Sequence, residues 1–230
     1  MKTTIDPCID HRSRVGAERR ERTRSRLVES ALRVFTEHGV QTGTIDRVIR
    51  TAEVSRGTFY NYFRTDEDLY GAVATEVGNE LIRIVNPLVL PHADPAARVA
   101  CGIRLVIGLA RGNRVLAEFL VRGGPGALRH GLMIEQVVLR DIALGIDSGA
   151  FSVRDTRLAL DLLLGPVSQA FHTVLGDEFP EGYAQGLAQG VLQALGVPQS
   201  KAARLCAAML DEAVIPADSL FCRAGGRMVR

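Results

Sequence analysis

Arginine is the residue best placed to do chemistry in this chain of 230 residues, with 26 arginines against two lysines. Its planar guanidinium can offer two parallel N–H groups to a phosphate or to the edge of a guanine, which an ammonium cannot do. Seven arginines fall within residues 11–26, HRSRVGAERRERTRSR, against two glutamates. The net charge of +2 lies wholly in the first 70 residues, which hold 13 basic and 11 acidic side chains. A dense basic segment ahead of a helical one is an electrostatic footprint for nucleic acid; composition alone leaves a solubilising tail as an equal alternative. Further on, Ser55–Phe63 reads SRGTFYNYF and gathers four of the twelve aromatics around Arg56.

Other chemistries lack their residues. The cysteines at 8, 101, 206 and 222 form no CxxC pair, and the five histidines show no HExxH or similar spacing. No metal site and no cofactor site is expected from them. There is no P-loop, nucleophile elbow or acid/base pairing, so no catalytic residue is proposed and an enzyme is disfavoured. The N-terminus MKTTIDPCIDHRSR has no apolar signal region, and no uninterrupted apolar run approaches the roughly 18–20 residues of a membrane span. The expectation is a cytoplasmic protein with reduced thiols and no membrane partner.

Helical periodicity positions the basic and aromatic residues. Leu27, Val28, Ala31, Leu32 and Phe35 form one apolar stripe of a helix running from about Arg20 to His38, with Gly39 at its end. Thr44 reads as the N-cap of a short second helix whose buried side is Ile45, Val48, Ile49 and Ala52. After Glu53-Val54 the chain restarts at Ser55, a second N-cap. Two helices joined by a three- to four-residue turn make a helix-turn-helix. In the last helix Phe59 and Phe63 share a face and should pack inward. Gly57 and Asn61 then point outward, Thr58, Tyr60 and Tyr62 flank them, and Arg56 sits in the first turn.

From about Arg22 to Val73 the sequence resembles the TetR family of bacterial transcriptional regulators. The resemblance is carried by FTEHGV, TIDRVIRTAEVSRGTFYNYF and TDEDLYGAV, and is densest over VSRGTFYNYF. It implies double-stranded DNA as a partner. Arg56, Gly57 and Thr58 would open the recognition helix nearest the bases, with Ser55 capping it and Asn61 on the same outward side as Gly57. Tyr60 and Tyr62 would reach phosphates or flanking bases, Thr44 would offer its hydroxyl and N–H to a phosphate, and Arg47 would add a contact. Three positions depart from the family pattern. Glu53 replaces a turn glycine, Ile49 a small alanine, and Thr65-Asp66-Glu67-Asp68 a lysine that grips phosphate, so that last contact is not carried over.

The remaining sequence is helix after helix without sustained alternation, so the fold class is all-α. Helix 4 is expected to run to Val85 and give way to a proline-rich linker, NPLVLPHADP. Further helices fall at about 96–110, 114–121, 127–145, 156–175, 182–195 and 201–214, with a GGPG loop at 123–126. The organisation is a basic flexible arm (1–19), a helix-turn-helix domain (20–66), a helical regulatory and dimerisation domain (67–215) and a C-terminal tail (216–230) whose last residues, AGGRMVR, are expected to fray.

Gly182, Gly186, Gly190 and Ala194 recur every four residues. Each interior glycine costs a helix about 0.8–1 kcal/mol against alanine, so a stripe of them suggests a closely approaching neighbour. Leu187 and Val191 lie on an adjacent side, and the expected neighbour is a second copy, in a four-helix interface with the 156–175 helix; close packing within one chain is the alternative. Polar groups on apolar helices between roughly 81 and 172 are the candidate orienters of a small-molecule effector: Arg104, Gln136, Arg140, Gln169 and His172. An aliphatic lining would favour an apolar ligand, and arginines could admit a carboxylate. The leading expectation is a ligand-responsive homodimeric repressor on a palindromic operator. The alternatives are an activator, a ligand-independent regulator, or an adaptor whose Tyr60 and Tyr62 bind a protein.

Overall fold

A computed structural model of the chain describes residues 7–39, 43–123 and 132–225. The expected loop at 124–126, the first residues of the helix expected from 127, and the ends of the expected arm and tail lie outside this range. Among the described residues there are eleven helices and no strand.

The first helix, α1, spans Pro7–His38. The segment 7–19, expected as a flexible arm, is therefore helical. Residues 14–22 are exposed all round, so no apolar stripe marks them. What holds them is the good helix propensity of arginine and glutamate, together with Glu18 four residues before Arg22. The stripe proper begins at Leu27, and Leu27, Val28, Ala31, Leu32 and Phe35 are all buried. Gly39 ends the helix with its N–H on the Phe35 carbonyl at 2.9 Å.

Helix α2 covers Thr44–Thr51 and α3 covers Arg56–Tyr60. The N-cap of α2 is Gly43, at φ 85°, and not Thr44; Thr44 has already turned into the helix and is buried. A left-handed entry residue needs no side chain and so leaves no capping pattern to read. Ser55 does cap α3, its Oγ accepting from the Thr58 N–H at 3.0 Å. Glu53 takes φ 51°, the left-handed conformation the turn demands, at a cost of roughly 1 kcal/mol. Ile49 is half-buried against the core, and the Val54 N–H bonds its carbonyl at 3.2 Å, so the turn accommodates the larger side chain.

Helix α4 runs Asp66–Val89, capped by Thr65 Oγ1 on the Asp68 N–H at 3.0 Å. It passes through Pro87, where a linker was expected, and the Leu90 N–H still reaches the Asn86 carbonyl at 2.9 Å. Proline breaks a helix interior by its missing N–H and its clash with the preceding turn. Here it falls in the last turn, where Leu88 and Val89 pack on the core and keep the chain helical. The connector shrinks to 90–94, and Asp94 Oδ1 caps α5 (Pro95–Gly112) on the Ala96 N–H at 2.9 Å.

Helices α6 (Arg114–Arg122), α7 (Leu132–Asp147), α8 (Thr156–Leu175), α9 (Tyr183–Ala194) and α10 (Gln199–Ala207) follow. α5 is the central rod, touching α4, α6, α7, α8, α9 and α10. α8 is the one described helix long and apolar enough to cross a membrane by composition. Its Ala159, Leu160, Leu163, Leu164, Val167, Ala170 and Phe171 are instead buried in the core that it shares with α5, α6, α7 and α9.

The helix-turn-helix segment and the helices that follow it share one core. α1 packs on α4 and α6, and Phe35, Tyr70 and Phe119 meet with ring centroids 5.8, 6.0 and 6.4 Å apart. The Tyr70 hydroxyl donates to the Gly123 carbonyl at 2.8 Å, and burial pushes its phenol above the usual range. A last helix, α11 (Leu220–Gly225), wedges against α1, α4 and α6. Phe221 is 1% exposed, Arg33 Nε donates to the Ala224 carbonyl at 3.0 Å, and Arg223 pairs with Glu29 at 3.2 Å. The expected C-terminal tail is thus helical over Leu220–Gly225 and docked there.

Candidate nucleic-acid interface and internal cavity

The helix-turn-helix divides its residues by helical phase. Phe59 is fully buried and Phe63 is 5% exposed, and their rings lie 5.9 Å apart in the small core beneath α3. Ser55, Arg56, Gly57, Tyr60 and Asn61 are exposed, Thr58 and Tyr62 half-buried, and Tyr62 packs partly on the core. Tyr60 stands edge-on to Phe59 at 5.4 Å with its ring in solvent. Arg47 and Arg50 project from α2 into solvent. The burial of Thr44 at 2% leaves little of its hydroxyl outside.

Electrostatics at this surface are mixed. The Arg56 guanidinium pairs with Asp46 across the turn, both side chains more than half exposed. Asp66 has an Oδ1 that is sealed from solvent with no partner among the described residues, and burial first, then Glu67, raises its pKa. The Arg64 N–H bonds Asp68 Oδ2 at 3.2 Å, which folds part of the acidic start of α4 back onto its own helix end. What remains exposed is a donor-rich face of guanidiniums, hydroxyls and an amide carried by a short, rigidly anchored helix.

A cavity of about 100 Å³ lies between α4, α5, α7 and α8. Its walls are aliphatic (Leu81, Val85, Val99, Ile103, Val138 and Leu163 among them), interrupted by Asn86, Arg98 and Asp141. Asp141 is 4% exposed and is held by Arg98 Nη1 at 3.1 Å and by Arg140 Nε and Nη2 at 3.0 Å, all on Oδ1. Arg98 Nε also donates to the His92 carbonyl at 2.7 Å.

None of the five expected orienters lines this cavity. Gln136, Gln169 and His172 are exposed, Arg104 donates to the Ala208 carbonyl at 2.8 Å, and Arg140 reaches only its rim through Asp141. Asn86 was missed because it lies in a segment that reads as a linker. Asp141 carried a usable signal: it follows Val137 and Val138 by four and three residues, on the apolar side of α7, and an acid placed there is buried only with a partner. Among the described residues no cluster of His, Cys, Asp or Glu could hold a metal ion. Cys101 and Cys206 are buried, and desolvation pushes both thiols up, away from the thiolate.

The outer faces of α8 and α9 form a third surface. Gly186, Gly190 and Ala194 are exposed, and a Cβ added at Gly186 or Gly190 would meet nothing within 4 Å. Close packing within one chain therefore does not explain these glycines. Gly182 is explained otherwise, as the N-cap of α9 at φ 71°. Val191 is 3% exposed and belongs to the protein's own core, while Leu187 is half-buried. On α8, Leu158, Gly165, Pro166, Gln169 and His172 are exposed, spaced at three, four and seven residues along one side. Gln169 and His172 thus stand on this outer face and not in the cavity.

Residues 27–73 match the family model described as bacterial regulatory proteins, tetR family, and residues 94–208 match the tetracyclin repressor-like C-terminal domain. The uncharacterized HTH-type transcriptional regulator YhgD of Bacillus subtilis (strain 168) is 33% identical over 148 residues, covering 60% of this chain and 76% of YhgD. The HTH-type transcriptional repressor DhaR of Mycobacterium sp. (strain GP1) is 32% identical over 75 residues, 33% of this chain and 38% of DhaR. Several curated relatives are matched over little more than half of their own length. The crystal structure of RolR without ligand superposes with a TM-score of 0.70 at 26% identity, covering 83% of this chain and all of RolR. The complex of RolR with resorcinol gives 0.68 at 27%, covering 86% of this chain and all of RolR.

Proposed function

This chain belongs to the tetR family of bacterial regulatory proteins and is a transcriptional regulator, and from that premise we propose that it acts as a homodimeric repressor which a small apolar effector releases from a palindromic operator. The observation that carries the DNA-reading part is the phase of α3: Phe59 and Phe63 bury one side, which leaves Arg56, Gly57, Tyr60 and Asn61 in solvent. In this reading the α3 helices of two protomers enter successive major grooves. Arg56 meets a base edge, the flat surface at Gly57 lets the backbone approach, and Tyr60, Tyr62 and Arg47 hold phosphates. Thr44 contributes its N–H at the α2 terminus, since its hydroxyl is buried. Dimerisation is supported by the open glycine face of α9, and effector control by the cavity. Two similar proteins support this reading: DhaR is a transcriptional repressor by name, and RolR has been solved with resorcinol.

An effector needs only to bind the DNA-incompetent arrangement more tightly to shift the equilibrium. The shared Phe35–Tyr70–Phe119 cluster offers a physical link between the cavity helices and α1.

Arg56→Ala should weaken binding to a footprinted operator by about 1–3 kcal/mol and flatten the preference between operator and scrambled duplex. Fluorescence anisotropy at fixed salt reads both; equal affinity with equal selectivity would remove Arg56 from base reading. Asp46→Asn should strengthen binding by up to about fivefold, because Arg56 no longer has to leave an exposed ion pair worth roughly 0.2–1 kcal/mol. Weaker binding in that variant would mean that Asp46 positions Arg56 for the bases. Transcription from the bound promoters should rise when the gene is deleted, and a fall would make the protein an activator.

A further inference from the structure

We propose that the cavity between α4, α5, α7 and α8 takes a compact, uncharged, mainly hydrocarbon ligand bearing one hydrogen-bond donor, and that the side-chain oxygen of Asn86 accepts from it. The proposal rests on the reading of this chain as an effector-responsive regulator, and it names the class of the effector and the residue that recognises it.

Size comes first. The cavity holds about 100 Å³. An apolar protein cavity of about 150 Å³ takes up benzene, so this smaller one admits nothing larger than about a single ring or a short branched chain. Composition comes next. Thirteen of the sixteen lining residues are aliphatic or glycine, and none is aromatic. Such walls reward hydrocarbon and give an ion nothing to replace its water.

The three polar residues decide the charge. Asp141 is already matched by two guanidiniums, those of Arg98 and Arg140. An ammonium entering here would face the Arg98 guanidinium on the wall, with Arg140 behind Asp141. A carboxylate would have to share Arg98, whose Nη1 already serves Asp141 and whose Nε serves the His92 carbonyl, and would set a second anion beside the buried Asp141. A neutral ligand disturbs neither bond. Asn86 then decides the functional group. It lines the cavity from the last turn of α4, and its Oδ1 is sealed from solvent with no hydrogen bond from any described group. A buried acceptor left without a donor is costly, and a ligand O–H removes that cost once the Asn86 amide turns its oxygen toward the cavity, whereas a ligand that carries only acceptors does not. Gly102 keeps the facing wall low: a Cβ there would first meet Val89 Cγ2 at 3.9 Å, an ordinary contact, so a long side chain at 102 would grow into the cavity.

Phenol, toluene and benzoate serve as probes, titrated into the full chain by calorimetry. Phenol should bind about tenfold more tightly than toluene, the scale of one net hydrogen bond, and benzoate should show no saturable heat. Asn86→Leu should abolish the preference for phenol over toluene, and Gly102→Leu should abolish binding of both. Benzoate bound as tightly as phenol, a phenol preference that survives Asn86→Leu, or phenol binding that survives Gly102→Leu would each overturn the proposal. Operator binding is measured on the same samples. Protein that holds operator but takes none of the probes defeats the ligand class and leaves the regulator standing. Protein that follows the predicted probe order without binding any DNA defeats the regulator and leaves the site.

Discussion

Gly186→Leu combined with Gly190→Leu is expected to yield a folded monomer with at least a hundredfold weaker grip on its operator. Both positions are exposed in the single chain, and a Cβ there meets nothing within 4 Å, so leucine costs the protomer no packing. Each substitution should even strengthen α9, since glycine lies about 0.8–1 kcal/mol below alanine and leucine stands near the top of the helix scale. The damage falls only on what approaches from outside. A helix seated on a glycine face comes nearer than leucine permits, and its withdrawal strips contacts from the whole interface at once. Loss of the dimer then uncouples two reading heads whose joint binding exceeds that of either by 10²–10⁴. Light scattering gives the mass and anisotropy the affinity. The companion variant with alanine at both positions should remain dimeric. An intact dimer in the leucine variant would move the interface to another face.

What a few neighbouring residues determine is legible in the sequence, and what distant parts of the chain determine is not. The stripe from Leu27 to Phe35, the Ser55 cap, the left-handed Glu53 and the inward pair Phe59 and Phe63 are local: a few neighbouring residues determine each of them. The regular glycine spacing was equally plain, but its phase was not. Val191 had no local mark distinguishing a core residue from an interface residue, and only its packing within the chain assigns it to the core. The stretch of α1 over residues 14–22 is exposed and carries no apolar stripe. Its helicity rests on propensity, which for a basic segment looks the same as a solvated tail.

The cavity was the least legible part. Orienting residues were sought as polar interruptions of apolar helices, which is sound physics, but most such interruptions face water. Gln136, Gln169 and His172 do, whereas Asp141 lies inside because Arg98 and Arg140 neutralise it. Arg98 stands 43 residues away from Asp141 in the chain, and no pattern of periodicity joins them. Pro87 misled in the same way. Proline ends helices for a local reason, and tertiary contacts at Leu88 and Val89 outweigh it in the last turn, carrying Asn86 into the wall.

Phe221→Ala is expected to destabilise the protein by about 3–5 kcal/mol, the usual cost of emptying a fully buried aromatic site, although it lies in a segment that reads as a tail. For a chain of this size that corresponds to a fall in Tm on the order of 6–20 °C, read by circular dichroism. The effect should be concentrated in one residue. Arg223→Ala breaks a pair with Glu29 in which the arginine is half exposed, and should cost below about 1 kcal/mol. The consequence reaches the reading head because α11 is wedged against α1, α4 and α6, and Arg33 of α1 donates to the Ala224 carbonyl. Residues 209–225 also lie beyond both matched family segments, so the wedge adds to the part of the fold those segments cover. If α11 fastens α1 to the regulatory helices, Phe221→Ala should raise hydrogen exchange in α1 between Leu27 and Phe35 as well as in α11 itself. A variant with an unshifted Tm and unchanged exchange in α1 would show α11 to be a passenger on the groove and not part of the joint between reading head and cavity.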